Sequence, residues 1–393
     1  MNILYVIPFI SPEKGGSVAI PYINSVHLKK MGNDVTILTT DFELNNYQYY
    51  KSLTNLGIKV IINKTNLNIG LFVVSLGTLN YIIHNINDFN VIHMHEYRSF
   101  QNIVVSFFAK LYKIPYIVQA HGSLTHFNVL HKLKLLYDVL FGYKLLKGAS
   151  KVIAFNQKEL KQYVSMGVCK KRIEIVSNPI DFVDYVNLPL KNNFKKKYNI
   201  PETKKIILYV GRIHKLKGIE FLISSYAYLI KKMNYDNTVL VLVGPDSGYL
   251  SEVKRLVKFL NIDNSVFFTG YLFGENKVSS YVDSVICIYP SPWEQFGIVT
   301  LEAAASGTPV IVVKGTPMAC LVDEGKFGFS VKYGDEYELS SIMKYILDNN
   351  EFAKTLGQNG RRFVFENFDL VKIGAKLEKI YNISISEINN RLY

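Results

Sequence analysis

Short β-branched runs recur along this chain, and almost every one is followed by a stretch with helical periodicity. In the first half they read "NILYVIP", "DVTILTT", "KVIINK", "VIHMHE", "YIVQAHG", "KVIAFN" and "IEIVSNP"; in the second, "IILYVGR", "VLVLVGP", "VFFTGY", "VICIYPS" and "PVIVV". Between them lie helix-like segments such as Ala19–Met31, Phe100–Tyr112 and Leu130–Lys147. Strands that are apolar on both faces must be covered on both faces, which parallel sheets achieve with crossover helices. The pattern pauses at Asp184–Lys205, "DYVNLPLKNNFKKKYNIPETKK", where proline and charge replace periodicity. The sequence therefore predicts an α/β protein of two doubly wound, Rossmann-like domains, with ligands at the carboxyl ends of the strands. We expect domains at 1–183 and 206–365, a linker at 184–205, and a helical segment at 366–393 that packs back toward the N-terminal domain.

Length supports the division, since 393 residues exceed one ordinary core. The three cysteines, Cys169, Cys287 and Cys320, are scattered and odd in number. That argues against a disulfide framework and for a reducing, cytoplasmic compartment. The opening "MNILYVIPFI" lacks a basic n-region and reads as a buried first strand. Thr65–Asn87 carries no charged side chain, but Asn, Ser, Thr and Gly interrupt it, so a partly buried helix is expected rather than a membrane span. The net charge of +13 is spread out, with 19 basic against 11 acidic residues before position 190 and 26 against 21 after it. Diffuse charge of this kind suits an anionic membrane surface better than nucleic acid. His131–Lys151 mixes lysines with Leu, Phe and Tyr. It fits either a membrane interface or a helix packed on the sheet with snorkelling lysines.

Chemistry concentrates in "YPSPWEQFGIVTLEAAASGTPVIVV", Tyr289–Val313. A helix opening near Phe296 and Gly297 would offer free amides and a positive dipole end to a phosphate. Glu294, just before it, can accept hydrogen bonds from sugar hydroxyls, and Glu302, on the second turn, can grip a ribose diol. The structural alternative makes Glu294 an N-cap and pairs Glu302 with a lysine. In "VGRIHKLKG", Arg212 and Lys217 follow a strand and supply the cations a diphosphate needs, unless the loop is only a solvated basic turn. No clustered D-x-D stands at a strand end, so fixed cations fit better than a metal, and no resident cofactor is expected. His93 and His95 alternate onto one strand face. They could ligate metal or, for His95, line an acceptor cleft. A G-x-S-x-G elbow and a Walker loop are absent.

"GRIHKLKG", "GPDSG", "SPWEQFGIVTLEAAASGTPVI" and "EGKFGF", in that order, resemble the C-terminal half of retaining glycosyltransferases of family 4, which have the GT-B architecture. The E-x7-E spacing from Glu294 to Glu302 is that group's signature. "GGS" at 15–17, "VIHMHE", "AHGS" and "SNPID" resemble its N-terminal half more loosely. The resemblance covers essentially the whole chain. It implies that Glu302 binds ribose hydroxyls, Glu294 the C3 or C4 hydroxyls of the donor sugar, and Arg212 and Lys217 the diphosphate. Amides of Phe296, Gly297 and Ile298 would add donors, and Gly15 and Gly16 would close over the diphosphate. His121 matches the family histidine near the reacting carbon, and Asn178 an interdomain position. Trp293, the only tryptophan, departs from the common family spelling; it either shapes the sugar or acceptor pocket or simply packs.

The implied function is transfer of a sugar from a UDP- or GDP-sugar to an acceptor hydroxyl with retention, in synthesis of a cell-surface polysaccharide, glycolipid or lipid-linked glycan. The implied setting is the cytoplasmic face of a membrane. Two rivals are a sugar-nucleotide epimerase or hydrolase of the same architecture and a basic nucleic-acid-binding protein.

Overall fold

The structure is a computed structural model that describes residues 1–10, 16–44, 47–124, 131–293 and 296–390. It divides into two compact units, one from Met1 to Pro179 together with the chain from Leu370, the other from Ile180 to Asp369.

The first unit holds β1 (Asn2–Val6), β2 (Asp34–Thr40), β3 (Lys59–Asn63), β4 (Leu67–Ile69), β5 (Phe72–Val74), β6 (Val91–His95), β7 (Tyr116–Gln119), β8 (Lys151–Ala154) and β9 (Ile173–Ile175). Seven of these form one sheet in the order β3-β2-β1-β6-β7-β8-β9, with every pairing parallel. Alternation along β1 explains why the strand reads as unbroken apolar sequence. Ile3 and Tyr5 enter one core and Leu4 and Val6 the other, all of them fully buried. The chain winds outward from β1 to β3, then restarts at β6 beside β1, so the switch point lies between β1 and β6.

The second unit repeats the plan with β10 (Lys205–Val210), β11 (Thr238–Val243), β12 (Val266–Gly270), β13 (Ser284–Tyr289), β14 (Val310–Val313) and β15 (Gly328–Val331). Their order, β12-β11-β10-β13-β14-β15, is again all parallel and puts the switch point between β10 and β13. The two doubly wound halves expected from the alternating pattern are therefore present. Side-chain caps fix several helix starts: Ser99 accepts from the Asn102 amide and Asn156 from the Glu159 amide.

Three segments differ from expectation. Residues 65–87 are not one helix: β4 and β5 form an antiparallel hairpin whose turn holds Gly70 at φ 60, and the helical part is Leu76–Asn85 with the 3₁₀ turn Ile86–Asp88 after it. Residues 184–205, expected as a linker, carry two short helices, Val183–Val186 and Asn193–Lys197. Their Tyr185, Phe194 and Ile200 are buried in the core of the second unit. Three widely spaced anchors give no periodic signal, so a folded segment reads as a linker. The chain instead passes between units at 179–180 and 369–370. The C-terminal helix Leu370–Asn389 belongs to the first unit and buries Ile373, Leu377, Ile380 and Tyr381 along one stripe. Strand β15 had no counterpart among the expected strands. Among the described residues no helix is long and apolar enough to cross a membrane.

Candidate functional site

In the second unit the loops after β10 and β13 flank the switch point. The loop after β10 carries Arg212, exposed and without an ion pair among the described residues, and Lys217, partly buried. Lys217 is held: its Nζ donates to the Tyr289 hydroxyl at 3.0 Å and lies 5.5 Å from that ring's centroid. Tyr289 ends β13, so this bond ties the two loops together. Gly218 closes the same junction at φ +68, and a Cβ there would collide with the carbonyl oxygen of Pro290.

After β13 the chain passes Trp293, which is 63% exposed and so is not a core residue, to Phe296, Gly297 and Ile298. Glu294 lies outside the described residues, as does Gly15. The Phe296 ring sits edge-on to Phe368 at 6.4 Å. Gly297 is the N-cap of the helix Ile298–Ala305, in a left-handed conformation at φ 45 that favours glycine. No acidic side chain occupies the first turn, so its amides and dipole end are not neutralised by the helix's own sequence.

Glu302 sits on the second turn, with its side chain only 14% exposed. Burying that carboxylate requires partners, and the structure supplies them. Lys277 Nζ straddles both oxygens at 2.7 and 2.6 Å, and the Tyr281 hydroxyl donates to Oε2 at 2.9 Å. Tyr185 lies beside them, its phenol pushed up by burial and by the Glu302 carboxylate. The lysine pairing raised as the structural alternative is thus present. It fixes the rotamer of Glu302 and does not remove its remaining acceptor capacity, since an ionised carboxylate offers about four acceptor positions.

In the first unit, His93 and His95 occupy one face of β6 with ring centroids 4.1 Å apart. Their Nδ1 atoms are both engaged: His93 with the Tyr381 hydroxyl at 2.8 Å, and His95 with Nε2 of His121 at 2.9 Å. Tyr381 in turn bonds the Tyr5 hydroxyl at 3.0 Å, and the His95 and His121 rings stack at 5.2 Å. The result is a continuous array in which Tyr5, Tyr381, His93 and His95 are buried and His121, at its end, is partly exposed. Burial pushes the pKa of His93 and of His121 down to about 3, and drives that of His95 well below its ordinary value, so the array is neutral at pH 7. Among the described residues no group of three or more His, Cys, Asp or Glu is arranged to hold a metal ion.

His121 itself is left-handed, at φ 51. Its loop is fastened by Glu159, which accepts from the amides of Gly122 at 2.7 Å and Phe155 at 2.9 Å. Burial raises the Glu159 pKa to about 8 against the lowering effect of those two bonds. Asn178, at the end of the same sheet, is buried with its Oδ1 unpartnered among the described residues. Gly16 opens the helix Gly16–Lys30 after the loop that follows β1.

Of the residues singled out in the sequence, the structure puts Arg212 and Lys217 on one loop and Trp293, Phe296, Gly297 and Ile298 on or just after the other, and joins His95 to His121. Sequence reasoning missed Tyr289, Lys277, Tyr281, Tyr185, Glu159 and Tyr381. Only Glu159 had a local signal, standing three residues after Asn156 in a capping-box arrangement.

Two family models match the sequence: Glycosyltransferase Family 4 over residues 15–183 and Glycosyl transferases group 1 over residues 190–363. The uncharacterized glycosyltransferase MJ1607 of Methanocaldococcus jannaschii is 23% identical over 373 residues, covering 91% of this chain and 92% of its own length. The capsular polysaccharide biosynthesis glycosyltransferase CapM of Staphylococcus aureus is 28% identical over 246 residues, covering 61% of this chain and 63% of CapM; the chain thus spans less than two thirds of that relative. Among solved structures, Anabaena Alr3699/HepE in complex with UDP and glucose matches with a TM-score of 0.79 at 18% identity, covering 96% of this chain and 98% of that one.

Proposed function

The chain belongs to the group 1, family 4 glycosyltransferases and has their two-domain GT-B fold, and from that premise we propose that it moves a sugar from a nucleoside diphosphate donor to an acceptor hydroxyl with retention at the anomeric carbon. The bond from the anomeric carbon to the β-phosphate oxygen breaks. The acceptor oxygen bonds to the same face of that carbon, and its proton passes to the departing phosphate oxygen. Such a step rests on positioning and on neutralising the charge that develops on the diphosphate.

The observation that carries this reading is the placement at the β10–β13 switch point of Arg212 and Lys217, on the loop after β10, and of the left-handed Gly297 entry to the helix Ile298–Ala305, on the loop after β13, with Lys217 bonded to Tyr289 at the end of β13. Two cations and the positive end of a helix suit a diphosphate. Glu302, immobilised by Lys277 and Tyr281, is assigned to the ribose hydroxyls, and Glu294 to the sugar's. Neutral His121, with one ring nitrogen committed to His95, is assigned to the donor sugar beside the reacting carbon. Trp293, Asn178 and His95 are assigned to the acceptor side.

The donor is taken to be a UDP- or GDP-sugar; the UDP bound in HepE favours the former. The acceptor class we favour is a surface polysaccharide, glycolipid or lipid-linked glycan, in keeping with the part CapM takes in capsular polysaccharide biosynthesis. The test combines a thermal-shift screen over nucleotide sugars with NMR of the product anomer. Lys217→Ala should lower transfer by about 10²–10³ while the fold is kept. Inversion at the anomeric carbon would overturn the mechanism, and full activity of Lys217→Ala would overturn the site. Rapid release of free or epimerised sugar without acceptor would favour the epimerase or hydrolase instead.

A further inference from the structure

The backbone around His121 is held from both sides. Glu159 accepts from the Gly122 amide, Arg98 donates to the carbonyls of Ser123 and Leu124, and Ser123 Oγ donates to the Ala120 carbonyl. Arg98 is itself pinned by the buried Asp138 at 2.7 Å. With the loop fixed, what remains to be set is the imidazole: its rotation, and which of its two nitrogens carries the hydrogen. Among the described residues one side chain hydrogen-bonds that ring, His95, whose Nδ1 meets His121 Nε2 at 2.9 Å. His95 ends β6 and pairs in register with Gln119, the last residue of β7, so the sheet brings the two rings together, 20° from parallel. Behind it His93, bonded to Tyr381, backs the His95 ring with centroids 4.1 Å apart.

Both His95 and His121 are neutral, because burial drives their pKa values down, so each ring carries one N–H. Of the two facing nitrogens, one must donate and the other accept. The choice is decided on the far side of His95, whose Nε2 is buried with no partner among the described residues. If His121 donated, His95 would keep its own hydrogen on Nε2, a buried donor with nothing to receive it. If His95 donates from Nδ1, its Nε2 is a bare acceptor, and in folded chains an orphaned buried N–H is rarer than an under-used acceptor. The other side does not discriminate: His121 is partly exposed, and its Nδ1 has no partner among the described residues.

We propose that His95 is a positioning residue: it donates its Nδ1–H to His121 Nε2, and so holds His121 in the tautomer that carries hydrogen on Nδ1 and presents a hydrogen-bond donor to a ligand oxygen. The role in catalysis rests on the assignment of His121 to the donor sugar beside the reacting carbon. A nitrogen that already carries its hydrogen cannot take the proton of an acceptor hydroxyl. His121 therefore orients an oxygen of the bound sugar and leaves that proton to the departing phosphate oxygen. His95, being wholly buried, reaches no ligand itself, and its assignment to the acceptor side narrows to an action through His121.

The test is a multiple-bond ¹H–¹⁵N correlation spectrum of the unliganded full chain labelled with ¹⁵N at histidine, with signals assigned by their loss in His95→Asn and His121→Gln. His121 and His95 should each show a protonated Nδ1 and a bare Nε2 at pH 7. A protonated Nε2 on His121 overturns the proposal. Kinetics supply the second arm. His95→Leu keeps the bulk and loses the donor, and should lower kcat about tenfold or more while KM for the nucleotide sugar stays within about twofold. His95→Asn is smaller but restores an N–H where Nδ1 stood, and should return kcat to within about threefold of the wild type. Asparagine doing no better than leucine would make His95 a packing residue and overturn the positioning role. The spectrum needs no substrate, so it decides the tautomer whether or not the transferase reading holds; a wild type that turns over no nucleotide sugar would overturn that reading alone.

Discussion

Between pH 8 and pH 5 the buried groups around His121 pull stability in opposite directions, and Glu159→Gln separates them. The folded pKa of His93 and of His121 is about 3, below the ordinary histidine value, so the unfolded chain binds more protons as pH falls and stability is lost. From pH 7 to pH 5 the two together cost about 4 kcal/mol, and His95, depressed in the same direction, adds to the loss. Glu159 works the other way. Its folded pKa is about 8, above the ordinary carboxyl value, so the native state binds the extra proton and stability rises as pH falls, by about 2.5 kcal/mol over the same interval. The wild type should therefore lose at least about 1–2 kcal/mol between pH 7 and 5, more by whatever His95 adds, and about 1 kcal/mol between pH 7 and 8, where Glu159 ionises in the fold. Glu159→Gln also leaves one of the Gly122 and Phe155 amides facing an NH₂ group, at a cost of about 1–3 kcal/mol at every pH. Its distinctive signature is the slope: the variant should lose about 4 kcal/mol or more from pH 7 to 5, and nothing extra from pH 7 to 8. Urea denaturation at the three pH values reads this directly. Equal slopes in variant and wild type would mean that Glu159 is ionised in the native state, and a stability maximum at pH 5 would mean that the histidines are not held neutral.

Four further outcomes are expected. Tyr381→Phe removes the hydroxyl that joins Tyr5 to His93, so about 1–3 kcal/mol of stability should be lost in a chemical melt. Gly218→Ala meets both a left-handed φ and the Pro290 carbonyl, and should cost at least about 2 kcal/mol and weaken nucleotide diphosphate binding, measured by calorimetry. Glu302→Gln and Lys277→Met should each weaken nucleotide binding about tenfold if the pair acts as a unit, with a coupling of at least about 0.5 kcal/mol in the double-mutant cycle; strict additivity would dissociate Lys277 from the site. Arg212→Ala, at an exposed position, should reduce transfer with a change in melting stability within about 0.5 kcal/mol.

The sheets were legible because strands buried on both faces cannot alternate: "ILYV" and "IILYV" had to be continuous apolar runs, and their spacing by helical stretches left parallel winding as the consistent solution. The loops after β10 and β13 stood out for a related reason. At a switch point the chain must expose backbone and charge at fixed positions after a strand, which leaves Arg212, Lys217 and Gly297 as local marks. What stayed hidden acts at long range. Tyr381 touches Tyr5 across 376 residues of sequence, and nothing in "KIYNIS" distinguishes that tyrosine from one that merely packs. Lys277 meets Glu302 from a different helix, so the spacing that singled out the two glutamates said nothing of the cation that pairs with one of them. Residues 184–205 show the converse failure, with Tyr185, Phe194 and Ile200 anchoring a segment whose composition is that of a linker. Local sequence records what a residue must do for its own strand or loop; the groups that hold a side chain such as Glu302 in place come from elsewhere in the chain, and only the packed structure names them.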